Sequence, residues 1–356
     1  MWPRTTHRHA ILCILPPHIL HQIAQNGTPD QRAAALQTLA TDHTFRTLRA
    51  LRLAAPVVGA APAPLAVAAT HRTIFDTHTT QTLPGTVVRQ EGGAASPDVA
   101  VNEAYDGLGD TFDFYWHTFG RNSIDGNGLP LNATVHYDQK MDNAFWDGQR
   151  MVFGDGDGTL FNRFTIALDV IGHELTHGVT EVEAQLIYAY QSGALNESLS
   201  DVFGSLVKQY KLGKQAASQA DWLIGAGLFT PQVQGTALRS MQAPGTAFHD
   251  PVLGKDPQPA HMNNYVHTFQ DNGGVHINSG IPNRAFYLVA VGIGGFAGDK
   301  AGRIWYDALR DPRLRSNSGF RRFARLAYDH AGQLFPGGPE QHVVRDAWSQ
   351  VGIPVP

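Results

Sequence analysis

The stretch Asp169-Val170-Ile171-Gly172-His173-Glu174-Leu175-Thr176-His177-Gly178 decides the reading. His173 and His177 stand four residues apart, a spacing that returns to nearly the same face of an α-helix one turn along. Two imidazoles stacked this way reach one metal ion, and Glu174 beside them is placed to handle a proton. The flanks suit a helix. Phe161, Phe164, Ala167, Leu168, Ile171 and Leu175 form an apolar stripe at helical spacing, and Gly178 is placed to end it.

Catalytic zinc takes three protein ligands and keeps one position for water. Glu197, 20 residues after His177, is the candidate third ligand. Its neighbours Ala194, Leu195, Leu199, Val202, Phe203, Leu206 and Val207 mark a second helix, so the carboxylate meets the ion from a different element. Asp201, one turn on, is placed to accept the other ring N–H of a ligand histidine and fix its tautomer.

Five ordered blocks carry a resemblance: Asn143-Ala144-Phe145-Trp146, His173 to His177, Gly193-Ala194-Leu195-Asn196-Glu197, Leu238-Arg239-Ser240-Met241, and Asp271 to Gly280. Over residues 70–356 the chain resembles the thermolysin-like zinc metallopeptidases. The resemblance implies an α+β, two-lobed fold, with a β-rich N-terminal lobe and a helical C-terminal lobe joined at a central zinc-binding helix. The expected division is 1–69 as propeptide and linker, 70–184 as the β-rich lobe and 185–356 as the helical lobe. It implies that His276 and Tyr188 stabilise the oxyanion, with Asp271 orienting His276. It implies that Asn143 and Ala144 pair with the peptide as an added strand and that Arg239 grips a carbonyl. Phe161, Phe164, Val170 and Leu238 match pocket-lining positions. The expected activity is a zinc endopeptidase cutting on the amino side of bulky apolar residues. The rivals are a silent zinc-binding module and an exopeptidase.

The start of the chain is a separate problem. Residues 1–53 hold six Arg and two Asp, a net +4; against −4 for the whole chain, the remainder carries −8. Such a basic segment either docks on the acidic body or hangs from it as a loose helical extension. Thermolysin-like peptidases are made as zymogens, and the protealysin-like subgroup has a short propeptide with a Pro-Pro-x-x-Leu element. Pro16, Pro17 and Leu20 match it, which favours a segment lying across the active site. Thr28, Pro29 and Gln31 read as a capping box opening a helix to about Leu53. Residues 54–69 read as an extended linker where a maturing cut would fall. Cys13 has two readings: a thiolate filling the open metal position, or a small buried apolar residue.

The bulk properties exclude little else. A net charge of −4 argues for neither nucleic-acid nor membrane partners, and the single cysteine excludes an intramolecular disulfide framework. The Ala10–Leu15 apolar run is cut off by Pro16-Pro17, so no secretory signal of the usual form is expected. Synthesis in the cytoplasm follows, with export by another route left open. A monomer acting on peptides and proteins, and bound by its own propeptide, is the expectation. Arg72–His78, Thr86–Gln90, 132–138 and 144–153 read as strands, with a helix from Ser96-Pro97 to Gly120. Helices are expected over 279–291, 301–309, 320–331 and 339–351. Asp155-Gly156-Asp157-Gly158 reads as tight turns rather than a calcium loop. Thermolysin itself has a double calcium site. Here Asp169 and Asp221 remain, but Lys208, Leu223 and Ala226 stand where acids would be, so calcium is not expected there.

Overall fold

The computed structural model describes residues 12–54 and 69–356; most of the expected linker, 55–68, lies outside them. In chain order the first elements are β1 (Leu12–Cys13), α1 (Pro17–Asn26) and α2 (Pro29–Ala54). The capping box forms: Thr28 N–H donates to Gln31 Oε1 (2.8 Å) and Gln31 N–H to Thr28 Oγ1 (3.4 Å). Next come β2 (Arg72–Asp76), β3 (Thr86–Gln90), α3 (Val99–Phe119), β4 (Leu131–Val135), β5 (Ala144–Trp146) and β6 (Met151–Phe153). Helix α3 starts two residues later than its Ser-Pro suggested, because Asp98 is the cap and accepts from Ala100 N–H at 2.8 Å. The 144–153 run is a hairpin. Asp147 Oδ1 accepts from the Gln149 and Arg150 amides and turns the chain between β5 and β6.

These strands make one six-stranded sheet in the order β1-β5-β6-β4-β2-β3. Strand β1 is an edge strand, antiparallel to β5, with Leu12 opposite Trp146 and Cys13 opposite Phe145. Residues distant in sequence thus complete a sheet edge, a common way for an extended peptide to bind.

Against the sheet packs α4 (Leu168–Glu183), and against α4 packs α5 (Tyr190–Lys211). The helix does not include Phe161 and Phe164. Phe161 bridges to Phe229, Phe164 lies in a 3-10 turn, and extended backbone at Ala167 separates both from α4. Nor does Gly178 end it. A side chain there would sit 3.0 Å from Ile124 Cδ1, so this glycine makes room for packing while α4 continues to Glu183. Helices α4 and α5 approach closely where glycines face each other. A Cβ on Gly172 would lie 3.0 Å from Gly204 Cα, and one on Gly204 would strike the Asp169 carbonyl.

The remaining elements are β7 (Leu223–Ile224), β8 (Arg239–Ser240), β9 (His249–Asp250), β10 (Gly254–Lys255), α6 (Asp271–Asn278), α7 (Gly280–Ile293), α8 (Ala301–Arg310), α9 (Phe320–Leu334) and α10 (Glu340–Gln350). The expected α+β architecture, a sheet-containing lobe and a helical lobe, is what forms. One contiguous apolar core runs from the sheet through α4 and α5 into the C-terminal helices. No helix among the described residues is long and apolar enough to cross a membrane.

Asp155-Gly156-Asp157-Gly158 is a pair of turns. Gly156 and Gly158 have φ of 74° and 71°, and Asp157 Oδ1 accepts from the amides of Thr159, Leu160 and Phe161.

Candidate active site

His173 and His177 project from the buried middle of α4, and Glu197 from α5; all three are at most 1% exposed. Their donor atoms gather within 4.8 Å of one another. The rest of each ring is already engaged. His173 Nδ1 bonds Asp201 Oδ1 at 2.8 Å, and His177 Nδ1 bonds Asn196 Oδ1 at 2.8 Å, with Ser200 Oγ at 2.9 Å. With the Nδ1 protons donated outward, the two Nε2 lone pairs face each other across 3.0 Å, and each lies 3.5 Å from a Glu197 oxygen. Glu197 Oε2 is buried without a hydrogen-bond partner. Three inward lone-pair donors of N, N and O type, with no proton to share, fit a divalent cation such as zinc.

Asp201 does more than the sequence suggests. Besides His173 it takes both Arg239 Nε (2.9 Å) and Nη2 (2.8 Å) and the Asn283 amide (2.8 Å). Burial alone would raise its pKa, but the Arg239 and His173 contacts hold it well below the usual carboxylate range. A permanently ionised carboxylate therefore orients the ligand ring.

Glu174 is fully buried beside the cluster and accepts from Trp146 N–H of β5 at 3.0 Å. Across the cluster, Tyr188 donates to Glu197 Oε1, and its hydroxyl is 3.2 Å from His276 Nε2. Burial and the Glu197 charge push the Tyr188 phenol well up, so it stays a donor. His276 Nδ1 bonds Asp271 Oδ1 at 2.7 Å. Burial opposes protonation of the ring, but Asp271 and Glu197 outweigh it and lift the pKa to about 9. Asp271 also accepts the His276 amide, made possible by left-handed backbone from Asp271 through Gly274.

The N-terminal segment lies directly on these groups. The Cys13 carbonyl faces His276 Nε2 at 3.0 Å. Ile14 N–H donates to Ala144 O at 3.2 Å, and its carbonyl accepts from Arg239 Nη1 at 3.0 Å. Leu15 N–H donates to Asn143 Oδ1 at 3.0 Å. Asn143, Ala144 and Arg239 thus all hold the backbone of the same segment, Ile14–Leu15. Phe161, Phe164, Val170 and Leu238 lie in the same apolar cluster as Ile14 and Leu20. Pro16 leads into α1, its carbonyl accepting from Ile19 N–H, and Pro17 is the first helical residue.

The thiol of Cys13 is not at the metal cluster. Strand carbonyls lie in the plane of a sheet and side chains stand perpendicular to it. With its carbonyl turned toward His276, Cys13 points its sulfur to the opposite face, among Tyr137, Met141, Phe145 and Val152 and 3.8 Å from Asp42 Oδ2. The buried-apolar reading, not the thiolate-ligand one, matches this placement.

Sequence reasoning missed several residues. Asn196 and Ser200 hold His177, and only their positions one residue before and three after Glu197 hinted at it. His18, inside the Pro-Pro-x-x-Leu element, is partly buried, with both ring nitrogens shielded from solvent and without a hydrogen-bond partner. Burial pushes its pKa down to about 4, against the nearby Asp271. Lys208, which the sequence already sets beside Asp169 and Asp221, bridges Asp169 Oδ2 (2.8 Å), Asp221 Oδ1 (2.9 Å) and Leu223 O (2.8 Å).

Comparison with known proteins agrees with this geometry. Family models match three segments: protealysin propeptide at 13–44, the thermolysin metallopeptidase catalytic domain at 65–181 and its alpha-helical domain at 184–353. An "Extracellular metalloprotease" of Pectobacterium carotovorum is 55% identical over 97% of both chains. "Protease PrtS" of a Photorhabdus species is 46% identical over 96% of this chain and 92% of that one. A "Thermolysin" of Alicyclobacillus acidocaldarius is 41% identical over 73% of this chain and 46% of its own. The solved "Precursor of Protealysin, Metalloproteinase from Serratia proteamaculans" superposes with a TM-score of 0.86 at 53% identity, over 96% and 99% of the two chains. One expectation is overturned. Relatives named extracellular metalloproteases point to secretion and not to a cytoplasmic location.

Proposed function

The chain belongs to the thermolysin family of metallopeptidases, in the protealysin-like branch, and from that premise we propose how its residues perform and restrain peptide hydrolysis. It is a metalloendopeptidase made with a propeptide. The observation that carries the assignment of ligands is the pair of Nε2 atoms 3.0 Å apart, converging with Glu197 while both Nδ1 atoms are occupied elsewhere. His173, His177 and Glu197 hold zinc; the bound ion supplies an acidified water and polarises the peptide carbonyl.

Glu174 accepts the proton of the attacking water and returns it to the leaving amine. Tyr188 and His276 donate to the oxygen that becomes negative, and Asp271 keeps His276 aligned. Substrate adds to the β5 edge through Asn143 and Ala144, with Arg239 on a carbonyl. The apolar cluster of Phe161, Phe164, Val170 and Leu238 selects a bulky apolar residue on the amine side of the cut. The full chain is a zymogen in which residues 13–15 occupy these groups, and maturation removes the propeptide by a cut within 54–69. The mature enzyme acts as a monomer.

An internally quenched peptide cut in its middle tests the endopeptidase reading against the exopeptidase one. Glu174→Gln should keep one zinc per chain and lower turnover by about 10³-fold, within the span a general base contributes. Substantial residual activity would sink the mechanism.

Calcium, we propose, is not needed beside α5, because the Lys208 ammonium already bridges Asp169 and Asp221 and offsets one of their two negative charges. Melting temperature after chelation and zinc reloading should not rise when calcium is added. A rise of several degrees would contradict this.

A further inference from the structure

The four backbone contacts of the propeptide strand define a register. The carbonyl facing the oxyanion donor His276 belongs to Cys13. The next amide, of Ile14, is held by Ala144 O, and the next carbonyl by Arg239. The peptide bond at the reacting position is therefore Cys13–Ile14. The side chains agree. Cys13 belongs to a small separate cluster with Tyr137, Met141, Phe145 and Val152, whereas Ile14 is fully buried in the main apolar core, to which Val170 and Leu238 also belong. That is a branched apolar residue on the amine side of the bond, the kind the pocket selects. Glu174 is on the same edge, bonded to the amide of Trp146, the residue paired with Leu12. The register cannot slide: Pro16 has a fixed φ, and α1 begins at Pro17.

We infer that Cys13–Ile14 is itself a processing site, hydrolysed within the same molecule by the active site it occupies. The inference rests on the peptidase reading above. Water adds to the Cys13 carbonyl carbon, the bond to Ile14 nitrogen breaks, and the proton taken by Glu174 goes to that nitrogen. The products are a fragment ending in the Cys13 carboxylate and a chain beginning at the Ile14 amine. Once protonated, that amine is a new cation buried beside Arg239, which weakens the hold of the remaining propeptide. Cleavage here thus loosens the propeptide before or alongside the linker cut.

The test is intact mass and N-terminal sequencing of the full chain, purified metal-free and then loaded with zinc. A fragment of residues 1–13 and an N-terminus at Ile14 are expected, at a rate unchanged over a tenfold range of protein concentration. Both should be missing in Glu174→Gln. Ile14→Val should still be cut and Ile14→Asp should not, with a melting curve showing that each folds. As a readout independent of turnover, calorimetry on zinc-loaded Glu174→Gln, matured in trans by wild-type enzyme that is then removed, should show an acetylated peptide of residues 12–20 binding at least tenfold more tightly than its Ile14→Asp counterpart. Activation that never produces an Ile14 N-terminus overturns the inference, as does equal binding of the two peptides. If mature wild-type enzyme still cuts an internally quenched peptide, only this inference falls; if it does not, the peptidase reading falls with it.

Discussion

Among the described residues, two clusters bring three metal-ligating side chains within 4.8 Å: His173, His177 and Glu197 at the centre, and Asp76, Asp98 and His136 near the surface. By donor distance alone they are equivalent. They differ in where the protons sit. At the centre each ring spends its Nδ1 on a fixed acceptor and turns a bare Nε2 inward. At the surface, His136 has a carboxylate on both nitrogens, Asp98 at 2.7 Å and Asp155 at 2.8 Å. Those partners, chiefly Asp155, raise its pKa to about 9, so the ring is an imidazolium with no lone pair to give. What makes a metal centre is the commitment of the other ring nitrogen, more than the gathering of ligand types.

The largest expected effect breaks one cluster and spares the other. Glu197→Ala should reduce zinc from one per chain to none and activity by more than about 10³-fold. His136→Ala should leave zinc at one per chain. Metal analysis of both purified variants decides, and equal zinc loss would erase the distinction. Next in size is Asp201→Asn, which leaves every ligand in place and changes what holds His173, along with the Arg239 and Asn283 contacts. Zinc affinity measured by chelator competition should fall roughly 10- to 100-fold; an unchanged affinity would make Asp201 a packing residue.

The smallest effects are on pH. The His136 pKa rises from 6.5 to about 9, so its stabilisation is complete below pH 6.5 and is lost as pH climbs through 9. Its side chain is 21% exposed, so the contribution is on the order of 1–2 kcal/mol after screening. His18 has the opposite sign. Its pKa falls from 6.5 to about 4, so propeptide docking is strongest above 6.5 and weakens toward pH 4, by roughly 2–3 kcal/mol. Melting curves of the uncleaved Glu174→Gln chain should show both limbs. His136→Gln should flatten the alkaline limb and His18→Gln the acid one. Limbs that do not respond would assign the pH dependence to other groups.

The centre was legible because its information is local. His173, Glu174 and His177 share one helical turn, and Glu197 and Asp201 another, so periodicity alone puts each set on a face. The family resemblance supplied Tyr188, Asp271 and His276, which local pattern could not join. Illegible features depend on what packs against what. Phe161 and Phe164 continue the apolar stripe in sequence, yet a strand bridge to Phe229 takes Phe161 off the helix. Gly178 looks like a terminator until Ile124 and Trp146 are seen filling its space. The Cys13 thiol and carbonyl compete for the same cleft, and only the pairing with Phe145 shows which of them faces His276.

The contact of Gly172 with Gly204 has a consequence for how this enzyme can vary. The bite of the ligand set across α4 and α5 is set by two missing methyl groups. Overpacking a core usually costs about 1–3 kcal/mol, which a stable protein survives. Here the same wedge would also pry the carboxylate-bearing helix from the imidazole-bearing one. A folded, soluble chain could then have lost its ion with every ligand intact, a lesion hidden from any inspection of the binding residues alone.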